Sequence, residues 1–218
     1  MTTPANTDAY APLRLQMVDS QLRGRGIRDE RVLDAMTRVP RHEFAPERFR
    51  DQAYEDHPLP ITEGQTISQP FIVASMLEAL ALSPHNNVLE VGTGSGYVTA
   101  LLAELTAQVV SMERHSSLAE AARQLLNNMA YQNVRVITGD GSLGFPDSAP
   151  YQAIIVSAAA AEVPHELVQQ LDDGGRMIIP VGRDDAQQLQ LIEKRNGQLR
   201  TNLRELCRFV PLIAEERS

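Results

Sequence analysis

From Asn87 onward the chain alternates short apolar runs with longer amphipathic stretches. "NVLEVG" (87–92), "QVVSME" (108–113), "VRVITGD" (134–140), "QAIIVSA" (152–158) and "RMIIPVG" (176–182) are rich in β-branched and aliphatic residues and too short for helices. Between them, the segment from Tyr97 to about Leu105, "SLAEAARQLLNNM" (117–129) and "HELVQQL" (165–171) space their apolar residues three and four apart. Strands alternating with amphipathic helices predict βαβ units and a mostly parallel sheet covered on both faces. The end of the chain departs from this pattern. "QQLQLIEKRNGQLR" (187–200) alternates around Asn196-Gly197, a hairpin turn signal, and "LCRFVPLI" (206–213) reads as a last strand. The sheet is therefore expected to close with antiparallel strands.

The first third reads helical. "LRLQMVDSQLRGRG" (13–26) carries apolar Leu13, Met17 and Leu22 and ends in glycines. "DERVLDAMTRV" (29–39) has Asp29 as an N-cap, Val32, Leu33 and Met36 on one face, and Pro40 as its stop. The proline-containing stretch from Arg41 to Pro70 shows no sustained period, and loops of that length in compact domains are often functional. "FIVASMLEALAL" (71–82) restores a helical pattern behind Pro70, and its Leu- and Met-rich stripe reads as core. The expected architecture is α/β and Rossmann-like: a doubly wound, mostly parallel sheet with antiparallel C-terminal strands and an N-terminal helical extension. The whole chain, 1–218, is expected to be one domain, with helices and a substrate loop over 1–80 and a cofactor-binding core over 81–218.

Composition narrows the function classes. The net charge of -8 disfavours a nucleic acid backbone as partner. No run approaches the ~18 apolar residues of a membrane span. The five histidines are scattered and the single cysteine, Cys207, has no metal-ligand spacing to them, so no metal is expected. A lone cysteine suits a reducing cytoplasm, where the protein is expected to reside. Cys207 is read as packing, and "MTTPANTDAYAP" (1–12), which lacks a signal peptide's basic start, as a short frayed tail. His42 and His57 read as surface or capping residues, and Arg208 either meets the substrate's backbone or decorates an edge strand, the second reading being preferred.

The chemistry concentrates at strand ends. "EVGTGSG" puts Gly92, Gly94 and Gly96 at the turn from the first strand into a helix, where backbone can approach a ligand. The same glycines also suit a plain tight turn. Glu113 ends the next strand, about 20 residues beyond, the place for an acidic residue that accepts from ribose hydroxyls. The spacing is G-x-G-x-G, not the dinucleotide G-x-G-x-x-G, and there is no G-K-[ST] phosphate cradle. Glu90, beside the glycines, repels a pyrophosphate but favours a cation. An acidic, glycine-lined pocket therefore suits S-adenosylmethionine, with its sulfonium and amino group, better than NAD. In "GDGSLGFP", Asp140 and Gly141 read either as an Asp-Gly turn or as partners of adenine.

"PLPITEGQTISQP" (58–70) is rich in small hydroxyls and amides and holds one charge, Glu63. On its composition it is either an acceptor site or a helix cap formed by Thr66 and Ser68. Together with "LRGRGIRDERVLDAMTRVPRHEF", "VLEVGTGSGY", "GDGSLGFP", "APYQAIIVSAA", "LDDGGRMIIPVG" and "RFVPL" it resembles the protein-L-isoaspartate O-methyltransferases, from about Met17 to Leu212. Glu63 stands where that family most often has a small residue, and Ser157 and "AAAEVP" (159–164) are further departures.

The resemblance implies methyl transfer from S-adenosylmethionine to the α-carboxylate of L-isoaspartyl residues in damaged peptides and proteins, followed by succinimide formation. It marks Ser68 as the catalytic residue, and it implies a cofactor site drawn from Thr66, Ile67, Glu90, Gly92, Thr93, Gly94, Gly96, Glu113, Arg114, Asp140 and Gly141. A carboxylate acceptor is ionised at neutral pH and needs no general base, so a neutral, donor-rich wall fits the chemistry. The alternatives are a carboxyl methyltransferase for another small or peptide substrate, and a cofactor-binding module without turnover.

Overall fold

The computed structural model describes residues 8–183 and 186–214. Its helical entry is one continuous run in three windings: α1 (Ala11–Gln16), a π-helical turn over Met17–Leu22 and a 3-10 turn over Arg23–Arg25. Gly26, at φ 106°, ends it in a left-handed conformation. Met17, Val18 and Leu22 are buried, whereas Leu13, expected on the same face, is 42% exposed.

Of the expected N-terminal tail, residues 1–7 lie outside the described residues, and from Asp8 onward the chain is held rather than frayed. Tyr10 donates to Asp51 at 2.9 Å and stacks on the His42 ring with centroids 4.2 Å apart. His42 is consequently buried, not at the surface, with Nδ1 2.7 Å from the Tyr54 hydroxyl. Burial lowers its pKa.

α2 (Glu30–Arg38) starts where Asp29 accepts from the Arg31 and Val32 amides, and it stops before Pro40. The aperiodic stretch that follows is organised by 3-10 turns over Arg41–Phe44, Glu47–Gln52 and Thr62–Gly64. A short antiparallel ladder joins β1 (Leu59–Pro60) to β2 (Thr66–Ile67). α3 (Pro70–Leu80) has Gln69 at its N-cap position with no side-chain cap bond. Asp56 supplies the missing partner from upstream, accepting from the Phe71 amide at 3.1 Å and from Gln69 Nε2 at 2.7 Å.

Seven strands form the sheet: β3 (Asn87–Val91), β4 (Gln108–Glu113), β5 (Val134–Thr138), β6 (Tyr151–Val156), β7 (Leu171–Arg183), β8 (Ala186–Arg195) and β9 (Gln198–Cys207). Their order is β5-β4-β3-β6-β7-β8-β9, parallel through β7 and antiparallel beyond it. α4 (Tyr97–Leu105), α5 (Ser116–Asn128) and α6 (His165–Gln170) make the crossovers.

Period-2 alternation sends neighbouring residues to opposite faces. Val88, Val109, Ile155 and Ile178 join the core under α3, α4, α5 and the N-terminal helices. Leu89, Val110, Ile154 and Met177 pack on the other side with Leu167 of α6. β7 starts earlier than its apolar run suggested, because Gly174-Gly175 lie in a bulge opposite β6 instead of a separate turn. Asn196 and Gly197 take positive φ, 50° and 73°, as the β8–β9 hairpin requires.

The final strand is a correction. It ends at Cys207, and Arg208–Leu212 leave the sheet instead of continuing it. Pro211 cannot serve a ladder interior. The segment is held against Ala159, whose amide donates to Val210 O at 2.8 Å and whose carbonyl accepts from the Leu212 amide at 2.7 Å. Cys207 itself packs as expected, with Sγ 3.7 Å from Gln187 O and its pKa pushed up to about 11 by burial. No described helix is long and apolar enough to cross a membrane.

Candidate active site

The sheet order reverses at β3, which lies between β4 and β6, so a crevice opens at the carboxyl ends of these strands. A cavity occupies that place. Gly92, Thr93 and Gly94 line it from the end of β3, Glu113 and Arg114 from β4, Gly141 from the loop after β5 and Ser157 from β6. Thr66, Ile67 and Ser68 close it from the opposite side.

On the donor side the backbone does most of the building. Gly94 sits at φ 54°, where a β-branched residue would be strained. Its amide donates to Glu113 Oε2 at 2.9 Å, and the His115 amide donates to Oε1 of the same carboxylate at 2.9 Å. Glu113 is thus fixed at the cavity edge while each oxygen keeps a lone pair for a further donor. Gly141 is required for a different reason: a Cβ there would lie 2.5 Å from Val91 Cγ1.

Beneath the glycine turn runs a chain of side chains. Thr93 Oγ1 is 2.5 Å from Ser111 Oγ, which donates to Glu90 Oε2 at 2.6 Å, and Thr99 donates to the same oxygen at 2.5 Å. Glu90 is fully buried and Oε1 has no partner among the described residues. Burial is the main cause that pushes its pKa up to about 8, against the two hydroxyl hydrogen bonds. Glu90 therefore braces the loop from behind and is not part of the cavity wall.

On the acceptor side long-range contacts dominate. The Ser68 carbonyl accepts from Arg41 Nη2 at 2.9 Å. Gln69 makes no cap bond and Asp56 accepts from the Phe71 amide, so neither Thr66 nor Ser68 serves as the cap of α3. Glu63, at φ 56°, accepts from Ser117 Oγ at 2.6 Å, and its other oxygen lies 3.8 Å from His115 Nδ1. The charge that had no role in the sequence is a tie between the acceptor loop and the start of α5.

Of the residues assigned from the sequence, the cavity brings together Thr66, Ile67, Ser68, Gly92, Thr93, Gly94, Glu113, Arg114 and Gly141. Gly96 lies one step beyond, as the α4 N-cap at φ 88°. Asp140 borders a neighbouring depression and accepts from the Ser142 amide and hydroxyl at 2.9 and 2.7 Å. The cavity also takes in Gln65, His115, Ser157 and the segment 210–213, which sequence reasoning missed. The proline in "FVPL" was the available signal that this segment leaves the strand. A second depression shares Thr66, Val210, Pro211 and Leu212 with the cavity and adds Arg183 and Arg208. Arg208 thus borders a depression instead of decorating an edge strand.

The donor set fits a nucleoside: a fixed carboxylate at the end of β4 and close-approach glycines. Together with the sheet order, that places the chain in the class of S-adenosylmethionine-dependent methyltransferase folds. The sequence comparison identifies the family. The description of protein-L-isoaspartate(D-aspartate) O-methyltransferases matches residues 14–217, and the chain belongs to that family.

It is 52% identical to the protein-L-isoaspartate O-methyltransferase of Koribacter versatilis over 99% of this chain and 97% of that one. It is 52% identical to that of Methanoculleus marisnigri over 93% and 92%. A solved beta-aspartate methyltransferase from Plasmodium falciparum, in complex with S-adenosyl-L-homocysteine, superposes with a TM-score of 0.80 at 28% identity, over 92% of this chain and 98% of that one.

Proposed function

We propose that this chain methylates the α-carboxylate of L-isoaspartyl residues in damaged proteins, using S-adenosylmethionine. The observation that carries the reading is the shared cavity, which Thr66 and Ser68 line together with the glycine turn and Glu113. S-adenosylmethionine supplies, when bound, a methyl group made electrophilic by its sulfonium. The residues that would hold it are Glu113, for the ribose hydroxyls, the turn Gly92–Gly94, and the Gly141 amide, for the adenine ring. Asp140, turned towards Ser142, contributes through that turn.

The acceptor arrives ionised, because an α-carboxylate has a pKa near ~3.5. No proton has to be removed from it, so the protein's task is alignment in water-poor surroundings. The Ser68 hydroxyl donates to one carboxylate oxygen and leaves the other aimed along the line of transfer. Thr66 and the backbone at Ile67 flank it. The peptide approaches through the depression bordered by Arg183, Arg208 and Val210–Leu212, which suits an anionic, extended chain. The ester then loses methanol as the neighbouring backbone nitrogen closes a succinimide, whose hydrolysis returns part of the lesion to aspartate. A single, packed thiol is compatible with work in a reducing cytoplasm.

The test is tritiated S-adenosylmethionine offered with matched aspartyl and isoaspartyl peptides. Base-labile label on the isoaspartyl peptide alone is expected. Equal labelling of both, or none on either, overturns the assignment.

A further inference from the structure

Arg41 is fully buried although its side chain is charged. Taking a guanidinium out of water costs several kcal/mol, and proteins usually offset that with a carboxylate. No carboxylate lies within ion-pair distance of Arg41 among the described residues. Its Nε donates to Ala53 O at 2.8 Å and its Nη2 to Ser68 O at 2.9 Å. Its Cζ stands 4.9 Å from the centre of the Tyr97 ring, and Nη1 has no partner among the described residues.

These contacts join three separate pieces of chain. Ala53 follows the 3-10 turn Glu47–Gln52, Ser68 belongs to the loop before α3, and Tyr97 opens α4 directly after the glycine turn. A planar fork reaches two carbonyls in fixed directions at once, whereas a lysine ammonium is a point charge without that geometry. The Ser68 peptide has no regular ladder or helix bond to hold its carbonyl, so its orientation depends on this one donor. A buried charge with an unsatisfied nitrogen and no carboxylate in direct contact is costly for stability alone, even with the Asp56 charge and Tyr97 favouring it. Its placement behind Ser68 gives that cost a purpose.

We propose that Arg41 is a positioning residue for methyl transfer: its guanidinium fixes the Ser68 peptide so that the Ser68 hydroxyl faces the donor wall. The proposal rests on the reading of Ser68 as the residue that orients the acceptor carboxylate. Arg41 touches neither substrate nor cofactor and acts only through Ser68 and the Tyr97 ring.

A double-mutant cycle tests it, with Arg41→Lys, Ser68→Ala and the combination, each measured for kcat and KM on an isoaspartyl peptide. Arg41→Lys keeps the charge and loses the fork, and is expected to lower kcat about ten-fold. Affinity for S-adenosylhomocysteine, read by calorimetry, should stay within about two-fold, since the donor wall is untouched. In the Ser68→Ala background the same substitution should change kcat by less than about two-fold, because the group it positions is gone.

Equal losses in both backgrounds, unchanged kcat in Arg41→Lys, or a loss that tracks cofactor affinity would each overturn the role. If Arg41→Lys does not fold, the wild type still decides. The Arg41 Nε–H signal in ¹⁵N NMR is expected to shift when isoaspartyl peptide binds beside S-adenosylhomocysteine, and an unmoved signal counts against the proposal. A wild type that fails to methylate the isoaspartyl peptide removes the reading of the site itself, whereas an active wild type with additive variants removes only Arg41.

Discussion

The two walls of the cavity are built by different means. The donor wall is local: a glycine turn closes β3, Glu113 ends β4, and backbone amides from Gly94 and His115 hold that carboxylate at 2.9 Å each. The acceptor wall is assembled from distance. Arg41 reaches Ser68, Asp56 reaches Gln69 and Phe71, and Glu63 reaches Ser117. Where regular secondary structure supplies the hydrogen bonds, site geometry follows from the fold. Where turns replace it, each backbone group needs its own side-chain partner, and single substitutions have more to disturb.

The contrast is sharpest at Ser68. Ser68→Ala is expected to lower kcat for an isoaspartyl peptide about 100-fold, the scale of losing alignment at a reacting centre. S-adenosylhomocysteine affinity should be unchanged, and calorimetry beside steady-state kinetics reads both. Weakened cofactor binding in that variant would mean that the two walls are not separable.

Glu113→Ala is the reciprocal experiment. Losing charge-assisted hydrogen bonds costs about 1.5–3 kcal/mol, so cofactor affinity should fall roughly ten- to hundred-fold while the peptide KM stays put. An unaltered cofactor affinity would remove Glu113 from the ribose.

The smallest effect on catalysis lies in the donor wall's foundation, where the change appears as pH dependence of stability. Burial holds the Glu90 proton in the folded protein up to about pH 8, against an ordinary value of 4.5 in the unfolded chain. Between those values the folded state binds the extra proton, so Glu90 favours folding fully below 4.5, and that contribution is lost as pH rises through about 8. Glu90→Gln has no such proton to lose. Urea denaturation at several pH values should show the wild type losing stability relative to the variant as pH rises across that window. Parallel curves would mean that Glu90 is ionised in the folded state.

Much of the donor wall was legible in the residues. "EVGTGSG" and Glu113 sit at strand ends whose apolar runs and spacing define them, and the structure places Gly92, Gly94 and Glu113 on one cavity. Glu90, expected beside the cofactor, is buried beneath the glycine turn and bonded to Thr99 and Ser111. A residue inside a strand alternates between faces, and pattern alone does not say whether a carboxylate beside a turn points to ligand or to core. His42 differs similarly, since a histidine in an aperiodic segment carries no periodicity, and its partners, the stacked Tyr10 ring and the Tyr54 hydroxyl, are remote in sequence. The "FVPL" segment was read as strand because apolar composition outweighed its proline, and its real partner, Ala159, is remote in sequence.

By itself the sequence determined the βαβ order, the antiparallel closing hairpin at Asn196-Gly197 and the family, because periodicity, turn chemistry and motif spacing are local. Tertiary structure alone decided that Arg41 holds Ser68, that Glu63 ties the loop to α5, and that 210–213 line the cavity. Those contacts join segments separated by long stretches of chain, and their geometry exists only once the core has packed.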